Sequence, residues 1–255
     1  MLLVIDVGNT ESVFGLYEGE KLITQWRMSS KHYRTADECW ILLKSWLVNE
    51  GFSMEDIHGM AVSSVVPSLS VILRTMARKR LTLEPLIISA EMDTGMKVVY
   101  DAPREVGADR ICNAVAGFAR YGGPLIIVDF GTATTFDVVS AGGEYLGGMI
   151  ALGLHGASQE LHRLAAKLPR VEMAFPHSVV GKTTEESMQS GIMWGTVCLI
   201  DGMVDKVCRE LKWDDVRVVA TGGVADVVCE RSERIQSVDA FLTLEGIRLI
   251  YNRCK

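Results

Sequence analysis

Asp6 and Asp129 occupy equivalent places in a stretch of sequence that occurs twice, at residues 2–16 and 125–139. In both copies an aliphatic run leads to Asp-x-Gly, then to hydroxyl or amide side chains, and then to a second run of β-forming residues. The glycine allows the backbone to come close to a ligand, and the short polar side chains can donate hydrogen bonds. A carboxylate at the end of a strand is suited to a metal-bound phosphate or a reacting hydroxyl. The repeated pattern therefore indicates a site for phosphate chemistry.

The elements that position these aspartates are predicted to be two hairpins. An aliphatic run, a glycine turn and a second β-rich run are typical of a strand hairpin. Two such hairpins that face each other would form a cleft. An ordinary turn is the alternative interpretation, because Asp, Asn and Gly are common turn residues. The matching order of the two copies disfavours that alternative.

A third carboxylate, Asp109, is predicted at the start of a helix. Pro103 keeps the preceding segment extended, and Gly107 permits a turn. An acidic residue at a helix N-terminus can simply cap the helix and complement its dipole. The strand that carries Asp129 comes next in the chain, and this order favours a role for Asp109 in the same cleft.

The composition limits the classes of protein to which the chain can belong. It has 255 residues, of which 48% are hydrophobic, enough for one large or two modest domains. Its formal net charge of −6 disfavours nucleic acid or an anionic membrane as the main partner. The sequence shows no signal peptide and no apolar run of the about 18 residues that a membrane-spanning helix needs.

The spacing of the remaining polar residues predicts an intracellular α/β protein. The six cysteines have no C-x-x-C spacing and the five histidines have no metal-binding spacing, so we expect buried, reduced thiols, a cytoplasmic location and no zinc site. Strands alternate with predicted helices, which is typical of a largely parallel sheet. Thr35 and Glu38 form a capping-box pattern that opens the first helix. The last helix is predicted over residues 244–251.

Five segments, taken together in this order, resemble the type III pantothenate kinase family over essentially the whole chain. These segments are Asp6-Val7-Gly8-Asn9-Thr10, Ser63-Ser64-Val65-Val66-Pro67, Tyr100 with Gly107-Ala108-Asp109-Arg110, Asp129-Phe130-Gly131-Thr132-Ala133-Thr134, and Thr221-Gly222-Gly223. The resemblance implies an α/β fold of two duplicated actin-like (ribonuclease H-like) ATPase domains, 1–117 and 118–255, with a cleft between them. It also implies ATP-dependent phosphorylation of pantothenate to 4'-phosphopantothenate, the first step of coenzyme A biosynthesis.

The same resemblance implies a role for each candidate site residue. Asp109 would be the proton acceptor, and Asp129 would hold a monovalent cation, K⁺ or NH₄⁺. The residues implied to hold ATP are Asp6, Val7, Gly8, Asn9, Thr10, Glu11, Ser12, Val13 and Thr132. Those implied to hold pantothenate are Tyr100, Gly107, Ala108, Asp109, Arg110 and Thr184. Mg²⁺ would bridge the ATP phosphates with Asp6 as the nearest carboxylate, and the protein would be a homodimer with pantothenate pockets at the subunit interface.

The chain departs from the family pattern at two places. The family usually has Ala-Pro-Gly where this chain has Ala151-Leu152-Gly153, and it often has Asn where this chain has Thr183. The first departure puts the rigidity of that loop in question. Neither touches the implied base or the two phosphate turns.

Two other functions remain as alternatives. One is a regulatory protein that has kept the fold, since relatives of this family were named as Bvg accessory factors affecting transcription. A regulator without catalysis has no physical need for the complete set Asp6, Asp109, Arg110 and Asp129, and the acidic charge balance disfavours direct DNA binding. The other is a phosphatase or acyl-phosphate kinase of the same superfamily, which the substrate segment 107–110 disfavours.

Overall fold

Each Asp-x-Gly segment lies at the turn of an antiparallel hairpin in the computed structural model of the chain, which describes residues 1–165 and 167–255. Asp6 pairs with Val13 across the first hairpin, and Asp129 pairs with Thr135 across the second. Both aspartates are the second-last residue of their leading strand. The prediction of two equivalent hairpins is therefore confirmed.

Contacts along the chain define two compact units. The first comprises Met1–Ala116 and Leu242–Lys255, and the second comprises Gly117–Phe241. The C-terminal helix thus belongs with the N-terminal segment, whereas the domain expected from the sequence over 118–255 includes it. The expected pair of domains, 1–117 and 118–255, stays a prediction.

A five-stranded mixed sheet forms the centre of the first unit. Its strands are β1 (Leu2–Val7), β2 (Glu11–Glu18), β3 (Lys21–Ser29), β4 (Gly59–Ser64) and β5 (Leu86–Ile87). Their order across the sheet is β3-β2-β1-β4-β5. The central strand β1 is antiparallel to β2 and parallel to β4, so its aliphatic run is covered by a strand on either side. A further two-residue strand, β6 (Lys97–Val98), follows in the segment that leads to Asp109.

The second unit repeats this arrangement. Its strands are β7 (Leu125–Phe130), β8 (Ala133–Val139), β9 (Glu144–Leu152), β10 (Arg217–Gly222) and β11 (Ser237–Val238). They lie in the order β11-β10-β7-β8-β9. The strand that carries Asp129, β7, is antiparallel to β8 and parallel to β10, as β1 is to its neighbours.

Both sheets are mixed, so the prediction of a largely parallel sheet is wrong. The turns Gly8–Thr10, Gly19–Glu20 and Gly131–Thr132 are too short to join parallel strands, which need a crossover of a dozen or more residues. In the described residues, parallel pairing occurs where a helix lies between the paired strands in the chain, as it does between β1 and β4. The hairpins that carry the candidate site therefore set the antiparallel half of each sheet.

Seven α-helices complete the described part of the chain. They are α1 (Ala36–Asn49), α2 (Pro67–Met76), α3 (Ala108–Tyr121), α4 (Leu154–Leu164), α5 (Thr184–Leu211), α6 (Ala225–Cys229) and α7 (Leu242–Arg253). The Thr35–Glu38 capping box is present at the start of α1, as predicted. A second capping box, formed by Thr183 and Glu186, opens α5.

Each sheet buries one hydrophobic core against its own helices. In the first unit, Leu3, Ile5 and Val7 of β1 pack in one cluster with Leu43 of α1 and Leu73 of α2. In the second, the core residues of β7 pack with those of the long helix α5. The aliphatic residues before each aspartate are buried almost throughout, whereas the aspartate near the strand's end is left half-buried. The fold in this way fixes the backbone of each turn while keeping its polar end accessible.

Candidate active site

The turn after Asp6 presents polar side chains on a closely constrained backbone. The Gly8 amide donates a hydrogen bond to the Glu11 carbonyl oxygen over 3.1 Å. A Cβ on Gly8 would lie 3.0 Å from that oxygen, closer than ordinary contacts allow, so the turn favours glycine. Asn9 and Thr10 are exposed at its tip. The turn can therefore offer backbone amides and two polar side chains to a phosphate group.

Residues 6–13, which the resemblance implies hold ATP, differ in whether their side chains are available to contact a nucleotide. The side chain of Val7 is fully buried in the core. Ser12 is also buried, and its hydroxyl bonds the Ser30 hydroxyl over 2.7 Å. Glu11 is paired with Arg27 over 2.7 Å on the surface. Contacts from these three positions to a nucleotide would come from the backbone rather than from the side chains.

Asp109 lies in the first turn of α3, as predicted. Its Oδ1 accepts a hydrogen bond from the Arg110 amide over 2.8 Å. Burial raises the pKa of the Asp109 carboxyl above its ordinary value, against the opposing effect of the Arg110 amide and guanidinium. The pKa of this carboxyl is thus raised in the direction of neutral pH, and this direction makes a carboxylate a better general base.

Gly107 leaves the space that the Asp109 carboxylate occupies. A Cβ on Gly107 would lie 2.4 Å from Asp109 Oδ1, so the carboxylate would have to move to make room for a side chain. The glycine of this segment is therefore explained by close approach, since its φ angle does not require glycine. Arg110 is half-buried beside it, and Tyr100 is 41% exposed.

The first unit brings Asp6 and Asp109 to one cluster around Cys112. The Cys112 thiol is fully buried, and burial, with the nearby carboxylates of Asp6 and Asp109, raises its pKa well above the ordinary value. Ser63 of β4, which pairs with Asp6 in the sheet, also lies at this thiol. The two carboxylates far apart in sequence therefore share one neighbourhood, and a neutral thiol lies behind them.

Sequence reasoning placed Cys112 only among the buried thiols. The available signal is its spacing from Asp109, because residues three apart lie on the same face of a helix. The approach of Cys112 to Asp6 and Ser63 is tertiary, and no local pattern reveals it.

The turn after Asp129 lies in the second unit and is held by glycines from two other segments. A Cβ on Gly153 would lie 2.4 Å from the Thr132 carbonyl oxygen, and one on Gly222 would lie 2.6 Å from the Phe130 carbonyl oxygen. Gly222 also has a φ angle of +94°, which favours glycine. The Thr221-Gly222-Gly223 segment is thus explained in part by packing against this turn.

The donor set at this second turn suits a hard cation. The Asp129 carboxylate is turned towards Gly131, since its Oδ1 would lie 3.7 Å from a Cβ on that glycine. Gly131 and Thr132 are exposed, and Thr134 has a buried hydroxyl oxygen without a hydrogen-bond partner among the described residues. Carboxylate, carbonyl and hydroxyl oxygens are ligands that hard cations accept. Across residues 1–165 and 167–255, no group of three or more His, Cys, Asp or Glu side chains could hold a metal ion.

Thr184, the remaining predicted substrate residue, is the first residue of α5 and is exposed. It lines a cavity of about 710 Å³ within the second unit, between α4 and α5. Most of the other lining residues are apolar: Leu152, Leu154, Ala157, Leu161, Leu164, Leu168, Met188, Ile192 and Leu199. The candidate site residues thus divide between the units, with Asp6, Tyr100 and Gly107–Arg110 in the first and Asp129, Thr132 and Thr184 in the second. None of the helices in the described ranges has the length and apolar character that crossing a membrane requires.

Comparison with solved structures identifies the fold. A ROK hexokinase from Thermus thermophilus matches with a TM-score of 0.54 at 14% identity, over 100% of this chain and 99% of that one. A protein from Campylobacter jejuni, described as a Baf family transcriptional activator, matches with a TM-score of 0.63 at 18% identity, over 99% and 98% of the two chains. Likenesses at this level of identity show the fold alone, and the fold is that of the actin-like ATPases and sugar kinases.

The sequence comparisons give the family. The profile of the type III pantothenate kinase family matches residues 2–206. A type III pantothenate kinase from Geobacter sulfurreducens is 47% identical over 253 residues, which cover 99% of either chain. The chain therefore belongs to the type III pantothenate kinase family, and the expected fold class is confirmed.

The close approach of Gly107 to Asp109 gives a first testable prediction. In Gly107→Ala the new methyl group displaces the Asp109 carboxylate, which is the end of a side chain and can move. We expect turnover to fall by about 10²-fold or more while the melting temperature stays within a few degrees of wild type. Steady-state kinetics and thermal melts check this. Gly142→Ala is the matched control, because the nearest atom to its added Cβ would be Ser140 Oγ at 3.8 Å. Full activity in Gly107→Ala would show that the position of this carboxylate does not matter.

Proposed function

We propose that Asp109 is the general base with which this enzyme activates the hydroxyl of pantothenate for phosphorylation by ATP. A type III pantothenate kinase catalyses this reaction in coenzyme A biosynthesis, and the family assignment gives the chain that activity. The observation that carries the role of Asp109 is its carboxylate, partly buried at the start of α3 with a raised pKa and close to the Asp6 turn. Coupled ATP turnover with and without pantothenate tests the function directly.

The chemistry requires positioning and charge neutralisation more than covalent help from the protein. The backbone amides at Gly8–Thr10 and the exposed Asn9 and Thr10 side chains would bind the ATP phosphates, with Thr132 as a further contact. A divalent cation such as Mg²⁺ neutralises phosphate charge when bound, and Asp6 is the carboxylate that would hold it. Asp109 would accept the hydroxyl proton, and Arg110 can form a bidentate pair with the carboxylate of pantothenate. Tyr100, Ala108 and Thr184 complete the proposed substrate contacts.

We also propose that the enzyme works in the cytoplasm. All six cysteines are unpaired. Cys39 and Cys112 are buried as expected, but the expectation of buried thiols is wrong for the other four: Cys208 and Cys229 are half-buried, and Cys198 and Cys254 are exposed. Free thiols are typical of a reducing compartment. The location stays a proposal, which fractionation of the cell checks.

The role of Asp109 predicts a separation of binding from turnover. In Asp109→Asn the amide cannot accept the proton, so we expect turnover to fall by about 10²-fold or more with ATP affinity near wild type. In the wild type, kcat/KM should fall as the pH drops through the raised pKa of Asp109, because only the ionised form is a base. This acid limb should lie above pH 3.8, the ordinary value for an aspartate.

A stability measurement serves as the control for Asp109→Asn. A raised pKa means that the ionised carboxylate costs folding free energy at neutral pH, and that this cost vanishes below the ordinary pKa. The variant should therefore melt at or above the wild-type temperature at pH 7. Wild-type turnover in the folded variant would show that Asp109 only caps the helix.

Asp129 is proposed to hold a monovalent cation, K⁺ or NH₄⁺. The support is its half-buried carboxylate beside the exposed Gly131–Thr132 turn. We expect activity in K⁺ or NH₄⁺ to exceed activity in a Na⁺ or Tris background, and Asp129→Asn to abolish the difference. Rates measured at constant ionic strength check this. Equal rates in all four backgrounds would contradict the proposal.

The apolar cavity between α4 and α5 supports a homodimer. Leu152, Leu164 and Leu199 line it and are 62%, 72% and 37% exposed. Exposed apolar patches of this kind on soluble proteins mark interaction surfaces. Gly191 and Gly195 of α5 also line the cavity and have open space where a side chain would begin, so a second helix can approach closely. We propose that a second copy of the chain covers this face and that Thr184 contributes to a pantothenate pocket there.

The dimer proposal predicts the effect of a bulky charge on this face. In Gly195→Arg the new side chain would project into the shared surface, so we expect a monomer by light scattering and an activity loss of about 10-fold or more. Gly202→Ala on the same helix, which lies outside the cavity and also has open space, is the control. An active monomeric wild type at assay concentration would refute the dimer. If Asp109 and Thr184 of one pocket come from different subunits, mixing Asp109→Asn with a Thr184 variant should restore one working site per heterodimer.

A further inference from the structure

The loop that follows β3 is attached to the Asp6 turn. The Ser30 amide donates a hydrogen bond to the Thr10 carbonyl oxygen over 3.0 Å, and the Ser30 and Ser12 hydroxyls are 2.7 Å apart. β3 pairs with β2 up to Ser29 opposite Glu11, so the chain leaves the sheet beside the turn itself. The loop of residues 30–35 therefore begins at the end of the first unit where phosphate is proposed to bind.

This loop carries positive charge in an acidic chain. Lys31 and Arg34 lie within it, and it contains no acidic residue, although the whole chain has a formal net charge of −6. The nearest carboxylates in sequence have other partners. Glu38 accepts hydrogen bonds from the Thr35 amide and hydroxyl over 2.7 and 3.0 Å, and Asp37 is paired with Arg80 over 2.7 Å. The two carboxylates nearest to the loop in sequence are thus bound to other groups.

The Arg34 guanidinium is held in a position that a ligand would complete. Arg34 is half-buried, and its Nε is shielded from solvent without a hydrogen-bond partner among the described residues. Its electrostatic effects fall on the start of α1, where it contributes to the lowered pKa of Glu38, well behind Thr35, and opposes the burial that raises the pKa of the Cys39 thiol. A shielded donor without an acceptor costs free energy, and such groups are rare in folded proteins. An acceptor oxygen from a bound anion would remove that cost.

We propose that Arg34 binds the phosphate chain of the nucleotide at the Asp6 turn, with Lys31 adding to the positive charge there. Arginine suits this role because its planar fork matches the geometry of phosphate oxygens and stays charged at all relevant pH values. The proposal rests on the proposed function of that turn in holding ATP, and it adds a residue outside the Asp-x-Gly segment. Arg34 contacts substrate and distinguishes a nucleoside triphosphate from a nucleoside.

The test is direct nucleotide binding, measured by calorimetry on the whole chain with Mg²⁺ and without pantothenate. Arg34→Gln should weaken ATP binding by about 10- to 100-fold, the effect of one charge-assisted contact. Its affinity for adenosine should stay within about twofold of wild type, because a nucleoside lacks the phosphates. The ATP affinity of Arg34→Lys should lie between those of the wild type and Arg34→Gln, because lysine keeps the charge and loses the bidentate fork. In steady state, KM for ATP should rise while KM for pantothenate does not change.

Arg209→Gln is the matched control. This arginine is on α5, is 73% exposed and lies 3.9 Å from its carboxylate partner, so its loss changes net charge equally without touching the loop. Unchanged ATP affinity in Arg34→Gln would overturn the proposal, and so would equal losses for ATP and adenosine, which would indicate a structural role. If Arg34→Gln does not fold, the ATP and adenosine affinities of Arg34→Lys decide by the same criterion. Failure of the wild type to phosphorylate pantothenate, with ATP bound normally, would instead contradict the proposed function alone.

Discussion

The desolvated carboxylate of Asp109 is the constraint on which the arrangement of the first unit depends. Burial raises the pKa of this carboxyl, which would make it a better proton acceptor, yet an ionised group out of water destabilises the fold. The Arg110 amide and the N-terminus of α3 limit this cost, and Gly107 keeps the space open. The cost that remains is offset by the core of the unit, where the β1 side chains Leu3 and Ile5 are fully buried. The role proposed for Asp109 and the stability of the fold are therefore opposed at one residue.

The two Asp-x-Gly turns have the same local structure in different surroundings. Each has an aspartate at the second-last position of a central strand, followed by a glycine turn and exposed polar side chains. The first is continued by the positively charged loop after β3, which suits it to the phosphates of a nucleotide. The second is enclosed by Gly153 and Gly222, whose backbones reach the carbonyls of the turn. Its Asp129 carboxylate and the hydroxyls of Thr132 and Thr134 are the oxygen ligands of the proposed cation.

Local chemistry made the hairpins, the Thr35 capping box and the helix start at Asp109 predictable, because each depends on residues within a few positions of one another. The same reasoning gave a largely parallel sheet, since it weighed the alternation of strands and helices above the short turns. It could not place α7 in the first unit or Cys112 beside Asp6. Those features depend on packing, as where Gly246 of α7 lies so close to the Cys112 carbonyl that a Cβ would be 2.0 Å away. In the sequence such a contact is visible only as a glycine, which does not identify the residue it packs against.

The two departures from the family pattern are accommodated by the local geometry. The position of α4 against the second turn depends on Gly153, whose contact with the Thr132 carbonyl leaves no room for a side chain. Leu152, which stands in place of the family proline, is 62% exposed. Its side chain therefore does not determine how closely Gly153 approaches the Thr132 carbonyl. Thr183, in place of asparagine, accepts a hydrogen bond from the Glu186 amide over 3.1 Å, the capping contact that asparagine also makes. Because backbone approach and helix capping fix these two segments, the side chains at 152 and 183 can vary without moving the turn or the start of α5.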